Sequence, residues 1–460
     1  MGQTLADVLR KRRGDDWLIG PSSQTFWQYV KTLTPVFADL RKTSPSQGSG
    51  ILIAEPDSLK FLAACLAAWA EGCLIVLINP RWGYQERQQA EAMVAPDWHA
   101  PAEPEWAVYP CWVPGGAPGQ VLIPTGGSSG QIKFVVHTWA TLTTSVQGFC
   151  AHFAVETVHA YCVLPLFHVS GFMQVLRVLT SGGCLVVQPY GDLKAGVRLS
   201  LPPGGFLSLV PTQLRDLLSL KSNILWLQSF RAVLLGGAPA GRSLLDQAQA
   251  AEIPIALTYG MTETAAQVAT LLPKEFLAGH RSCGRLLPHV DLTILNEWGQ
   301  PQPAGQPGQI AIRSNSLARG YLCSKVLHRA EDSLPTDDIG YLDRVGYLHI
   351  VGRSSSKIIT GGENVFPEEI ESVLLSVSEV SDVCVVGLPC DRWGQQLCAL
   401  VVAEPPTLLH TLQEALRPCL AFYKLPKQWI LVSAIPRTAQ GKMSRTQTLA
   451  QAQQILGMDC

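Results

Sequence analysis

The chain has 460 residues, of which 47% are hydrophobic and 15% charged, with a formal net charge of -1. That length predicts two or three packed units rather than one core, and the balance excludes a disordered or coiled-coil protein. Near-neutral charge gives no broad attraction to nucleic acid or anionic lipid, so a polyanionic ligand must be held by local geometry. The thirteen cysteines show no CxxC pair and no metal-ligand spacing with histidine, which predicts a reduced, cytoplasmic chain. The opening MGQTLADVLRKRRGDD lacks an apolar core of signal-peptide length, and Ala6 breaks the myristoylation pattern. In FLAACLAAWAEGCLIVLINP (61 to 80), Glu71-Gly72 divides an alanine-rich half from a β-branched half. It predicts a buried helix entering a buried strand, not a membrane span.

Apolar runs at 50–54, 73–78, 160–165, 184–189 and 232–237 alternate with longer mixed segments, the rhythm of parallel strands covered by helices on both faces. After about residue 285, LTILNEWGQPQPAGQPGQIAIRS alternates strands with Pro/Gly turns, which predicts a smaller antiparallel sheet or barrel. From Ser356 onward the order helix, strand, strand, helix, strand predicts a compact α+β unit. The expected fold class is therefore α/β. A large N-terminal domain, residues 1–353, has mainly parallel sheets and a barrel-like part at about 285–353, and a small C-terminal domain spans 354–460.

Four segments carry chemistry. In VLIPTGGSSGQIKFVVH (121 to 137) an apolar strand enters a loop of Thr125, Gly126, Gly127, Ser128, Ser129 and Gly130, with Lys133 following. Such a loop converges N–H groups, hydroxyls and a cation on phosphate, although an ordinary Gly/Ser turn reads the same way. In TYGMTETAAQ (258 to 267), Glu263 between Thr262 and Thr264 suits either a magnesium ion on nucleotide phosphates or a helix cap. Between 335 and 371, Asp338 could accept hydrogen bonds from a ribose, while DRVGY reads as a hairpin turn. PRTAQGKMSR (436 to 445) places Lys442 on a Gly-containing loop, which alone reads as a solvated basic turn.

Taken in this order, the four segments resemble the adenylate-forming superfamily of acyl-CoA synthetases, luciferases and carrier-loading adenylation domains. The resemblance covers nearly the whole chain. It implies ATP, magnesium and coenzyme A as ligands, with Thr125, Ser128, Ser129, Gly130 and Lys133 closing over phosphates. It implies Gly236, Gly237, Ala238, Tyr259 and Gly260 as adenine walls, Thr262 on phosphate, Glu263 on magnesium, and Asp338 and Arg353 on the ribose. Lys442 matches the lysine that bridges the acyl carboxylate and the α-phosphate. The resemblance also implies a small C-terminal domain that rotates about a hinge at Ser356. Departures from the family pattern are Gly126 for a hydroxyl residue, Ile132 for proline, Phe134 for glycine, Ser356 for an acid or lysine, and Asp337 for glycine.

The segment LPLFHVSGFMQVLRVL (164 to 179) matches the acyl-pocket motif, with His168 at its gate. Arg177, set among apolar side chains, is costly to bury unless an anion or an internal acid meets it. Together with LLGGAPA and YGMTETAAQ, these residues look most like the o-succinylbenzoate:CoA ligases of menaquinone and phylloquinone synthesis. That resemblance implies a dicarboxylate whose ring carboxylate meets Ser170 and Arg177, with Gln267 in the same pocket. Other aryl or medium-chain acyl-CoA ligases, a carrier-loading enzyme and a silent nucleotide-binding homologue are the alternatives. No nucleic acid and no membrane span are expected, and homo-oligomerisation is left open.

Overall fold

The computed structural model describes residues 3–20, 22–43, 48–97, 105–126, 132–323, 326–329, 332–377, 379–403, 409–437 and 443–457. An eight-stranded sheet runs in the order Leu18–Ile19, Leu185–Val187, Ala160–Cys162, Phe206–Leu209, Ala232–Leu235, Ile255–Met261, Ala266–Thr270 and Arg285–Leu286. The first six strands are parallel and the last two antiparallel. Successive side chains along each strand enter opposite cores, as the two-residue period requires. Tyr161, Leu207, Val233 and Ile255 face one layer, and Phe206, Ala232, Leu234 and Ala256 face the other. Burial on both faces explains why these segments read as continuous apolar runs.

A seven-stranded sheet follows the order Val326–Arg329, Gly320–Cys323, Ile132–Thr138, Gln120–Gly126, Leu74–Leu77, Ser49–Ile53 and Val108–Trp112. Only the pairs formed by Leu74–Leu77 with Ser49–Ile53 and with Gln120–Gly126 are parallel. The mainly parallel expectation thus holds in the first sheet, while this one is mixed. The stretch 61–80 becomes helix Ser58–Ala70 and strand Leu74–Leu77, with every residue from Phe61 to Trp69 buried. Among the described residues no helix is long and apolar enough to cross a membrane.

Strands Val290–Leu295, Gly308–Ser314, Leu334–Leu342 and Leu348–Arg353 form a four-stranded antiparallel sheet, the smaller unit expected from about 285 onward. Gly320–Cys323 does not join it but pairs with Ile132–Thr138 in the seven-stranded sheet, and Val326–Arg329 pairs with Gly320–Cys323. The C-terminal part has its own five-stranded sheet, built from Ile358–Thr360, Glu363–Val365, Val380–Cys390, Gly394–Ala403 and Gln428–Leu431. Helices Pro367–Leu374, Leu409–Leu416 and Arg445–Ile455 accompany it. Its two apolar cores draw only on residues between Ile358 and Ala452.

Candidate active site

The Gly/Ser loop joins two strands of a hairpin. Gln120–Gly126 and Ile132–Thr138 pair antiparallel, with Thr125 opposite Lys133 and Gly126 opposite Ile132. This register brings the two ends of the loop side by side, beside Lys133. Ser128, Ser129 and Gly130, three of the expected phosphate ligands, lie outside the described residues.

Alternation along Ile132–Thr138 carries His137 to the same strand face as Lys133. There it supports the second segment. Its Nε2 lies 2.7 Å from the Thr262 carbonyl and its Nδ1 3.0 Å from the Thr141 hydroxyl. A carbonyl can only accept, so Nε2 carries the proton and Nδ1 accepts from Thr141. Burial pushes the His137 pKa down to about 4, which keeps the ring neutral.

The Thr-Glu-Thr group is the turn between two antiparallel strands, Ile255–Met261 and Ala266–Thr270, rather than the start of a long helix. The capping expectation applies only within the turn, where the Met261 N–H donates to Thr264 Oγ1 at 3.1 Å. Glu263 sits half-buried at its centre. Its backbone carbonyl accepts from the Ala318 N–H at 2.8 Å, and Tyr321 donates to Oε1 at 3.2 Å. Burial and that carboxylate both raise the Tyr321 pKa. Tyr321 pairs across the sheet with Val135, so His137 and Tyr321 approach the turn from neighbouring strands. Sequence reasoning assigned neither residue, since cross-strand pairing over this separation leaves no local signal.

One oriented carboxylate beside hydroxyls fits a magnesium ion that arrives with nucleotide phosphates, because that ion keeps waters and takes few protein ligands. Among the described residues no group of three or more His, Cys, Asp or Glu side chains forms a dedicated metal cage. Glu263 is thus the residue that would hold the ion.

The residues expected to wall the adenine sit where parallel strands end, the usual ligand crevice of open α/β sheets. Gly236 follows Ala232–Leu235 so closely against the next strand that a Cβ there would lie 2.3 Å from Thr258 Oγ1, and Gly237 takes φ +81°. Ala238 is exposed at the same strand end. Tyr259 and Gly260 occupy a bulge in the pairing with Ala266–Thr270. Across the crevice, Asp338 stands opposite Arg353 in the strand register. Tyr259 donates to Asp338 Oδ2 at 2.7 Å and Arg353 Nε donates to Oδ1 at 3.1 Å. Tyr259, Asp338 and Arg353 therefore form one cluster, and burial together with Asp338 raises the tyrosine pKa.

On the acyl side, His168 caps helix Val169–Ser181 and lies 4.6 Å from the Phe167 ring, centroid to centroid. Ser170, Gln174 and Arg177 share one helix face, but Ser170 is exposed near the N-terminus and Arg177 is only 4% exposed. About two helical turns separate Ser170 from Arg177. Arg177 instead donates from Nη2 to Gln267 Oε1 at 2.6 Å and lies 4.1 Å above the Phe149 ring. Its Nε has no partner, nor does Gln174 Oε1. Among the described residues no carboxylate forms a salt bridge with it, which removes the internal-acid alternative. Burial lowers its pKa to about 10, so it remains charged at neutral pH.

His289, also unassigned from sequence, packs on the neighbouring helix, where a Cβ at Gly148 would lie 1.8 Å from its Nδ1. Both of its ring nitrogens are buried without partners. Lys442 lies outside the described residues, but the base of its segment is fixed by a bridge between Arg437 and Met443 and by Ser444 N–H donating to the Pro436 carbonyl at 2.9 Å.

Comparison with known proteins places the whole chain. Residues 99–322 match the AMP-binding enzyme family and 369–442 the AMP-binding enzyme C-terminal domain. A 2-succinylbenzoate--CoA ligase of Enterococcus faecalis is 33% identical over 325 residues, covering 70% of this chain and 67% of that protein. Another from Bacillus anthracis is 28% identical over 457 residues, 92% of each chain. The o-succinylbenzoate CoA synthetase of Bacillus subtilis, solved with its acyl-adenylate intermediate, has the same fold, with a TM-score of 0.78 at 24% identity over 97% of this chain and 98% of that one. An amide bond synthetase from Marinactinospora thermotolerans gives 0.78 at 22% identity, over 97% and 99%. By these matches the chain belongs to the AMP-binding enzyme family of adenylate-forming ligases.

Proposed function

We propose that the chain is a 2-succinylbenzoate:CoA ligase acting in the cytoplasm. It joins 2-succinylbenzoate to ATP as an acyl-adenylate with release of diphosphate, then passes the acyl group to the thiol of CoA with release of AMP. The product is the thioester used in menaquinone or phylloquinone synthesis. The observation that carries the choice of acid is Arg177, a charged guanidinium buried with an amide and a ring but no carboxylate. A pocket for a monoacid has no use for that charge. A dicarboxylate supplies the missing anion through its ring carboxylate, in the charge-assisted geometry that arginine favours. Relatives named for 2-succinylbenzoate support the same acid.

In the first step two anions must meet, since a carboxylate oxygen attacks the α-phosphorus. Lys442 neutralises charge between them, and an aimed charge in a water-poor site is worth far more than in solvent. Thr125, Ser128, Ser129 and Lys133 hold the outer phosphates, and Asp338 with Arg353 holds the ribose. Magnesium, when bound at Glu263, supplies charge neutralisation on the phosphate oxygens. The second step builds no charge at phosphorus, so Lys442 is dispensable there.

Diphosphate release should require 2-succinylbenzoate but not CoA, and thioester formation should require both. Equal turnover of an acid lacking the ring carboxylate would overturn the choice of substrate.

A further inference from the structure

The chain passes from the large unit to the small one at residues 354–357, a turn between strand Leu348–Arg353 and strand Ile358–Thr360. Each unit has its own apolar cores. Contacts between them include Arg215 Nη1 donating to the Ser381 carbonyl at 2.6 Å and Gly241 packed against Leu375. Two cores joined by a single crossing and a thin interface move relative to one another unless something holds the crossing.

The crossing is held from both sides. Asp337, on the large unit's strand, accepts from the Ser355 N–H at 3.0 Å through Oδ1 and from the Ser355 hydroxyl through Oδ2. Glu368, on the small unit's helix Pro367–Leu374, accepts from the Ser356 hydroxyl at 2.8 Å. The same Glu368 oxygen accepts from Arg445 Nη2 at 2.9 Å. Arg445 also grips both oxygens of Glu371 and the Val385 carbonyl. It opens the last helix, three residues after Lys442. Burial works against the charge on Arg445, but Glu371 and Glu368 more than offset it and keep the guanidinium protonated.

These contacts give a physical reason for two of the departures from the family pattern. An acid at 356 would set two carboxylates within about 3 Å of each other, which like charge forbids without a proton between them. A glycine at 337 would leave Ser355 without its acceptor. We propose that Asp337 and Glu368 are positioning residues that form a two-sided hinge latch, one carboxylate holding each serine. Through Arg445 the latch also fixes the base of the Lys442 segment. Its strength sets how readily the small unit leaves this arrangement.

Trypsin cleavage after Lys357 in the full-length protein reads the latch directly. Asp337→Asn, Ser355→Ala and Ser356→Ala should each raise the cleavage rate about fivefold, the scale of one ordinary hydrogen bond lost at a solvent-exposed position, with unchanged thermal unfolding. Ser356→Thr keeps the hydroxyl and should restore the wild-type rate, whereas Ser356→Asp should cleave at least as fast as Ser356→Ala. Combining Asp337→Asn with Ser355→Ala should give less than the sum of the two effects, because both act on the contact between the Ser355 hydroxyl and the Asp337 carboxylate. Ser355→Ala and Ser356→Ala should also shift the ratio of adenylation to thioester formation from pre-made acyl-adenylate by about fivefold, since only one step uses this arrangement. The half-reaction measurement rests on the acid:CoA ligase reading, but proteolysis does not. Unchanged cleavage in the serine variants, or additive effects in the double variant, would overturn the latch even if the ligase reading stands. A shifted cleavage rate with an unchanged half-reaction ratio would overturn its part in catalysis.

Discussion

A guanidinium held by one amide oxygen and a phenyl face, with its Nε unpartnered, is a standing cost to the folded protein that ligand binding can repay. Arg177→Met should therefore leave the unliganded protein as stable as wild type or more so, as a thermal unfolding measurement will show. Function should suffer in the opposite sense. Arg177→Ala removes one partner of a desolvated pair, a loss of about 3–5 kcal/mol, so kcat/KM for 2-succinylbenzoate should fall at least a hundredfold. A ring analogue lacking the carboxylate should lose far less, and an additive result across the two acids would exclude the pairing. Lys442→Ala belongs to the same scale. Adenylation should fall roughly 100- to 1000-fold while thioester formation from pre-made acyl-adenylate survives, and equal loss in both half-reactions would show that the lysine has a different role.

At the scale of elements, the turn Thr262–Thr264 depends on a tight approach of its two flanking strands. A Cβ at Gly260 would lie 1.9 Å from the Ala266 carbonyl oxygen, a backbone atom that cannot step aside. Gly260→Ala should cost about 1–3 kcal/mol of stability by overpacking and weaken ATP-magnesium binding by displacing Glu263, both measurable on one purified variant. Unchanged nucleotide affinity would show that the turn does not place that carboxylate. TYGMTETAAQ was legible as a loop with chemistry. That it links two strands was not, because a short polar group opens a helix and closes a strand pair with the same residues. The partnership of Asp338 with Arg353 comes from strand register, whereas the hairpin at DRVGY follows from local sequence: Asp343 Oδ1 accepts from the Val345 and Tyr347 N–H groups at 3.0 and 2.9 Å.

For the whole molecule, two buried histidines couple folding to pH. Burial lowers His137 and His289 to about 4 from an ordinary 6.5. Below pH 6.5 the unfolded chain takes up protons that these folded sites refuse, so stability is complete above pH 6.5 and is lost as pH falls toward 4. For His137 the loss is about 3 kcal/mol, and His289 acts in the same direction. Urea unfolding at pH 7 and pH 5 should show the decline, and His137→Gln should flatten it. An equally steep decline in that variant would mean that other groups carry the pH dependence. Because His137 holds the Thr262 carbonyl, the variant should also bind ATP less tightly at neutral pH.

Periodicity and punctuation, which act within a few residues, determined much of this protein directly. The helix and strand at 58–77, the apolar strands of the first sheet and the helix, strand, strand, helix, strand order from Pro367 to Leu431 follow from such local patterns, whereas the strands Ile358–Thr360 and Glu363–Val365 and the last helix did not. The ordered motifs single out Glu263, Asp338 and Arg353 as candidates, and the structure joins the last two in one hydrogen-bonded pair. Tertiary structure alone decided what depends on residues far apart in sequence. It sent Gly320–Cys323 across to the hairpin strand, brought Tyr321 and His137 to the Glu263 turn, and met Arg177 with Gln267. It also set Asp337 and Glu368 on either side of the hinge serines. Hydrogen bonds and burial act between neighbours in space, and chain folding chooses those neighbours over separations that no local pattern spans.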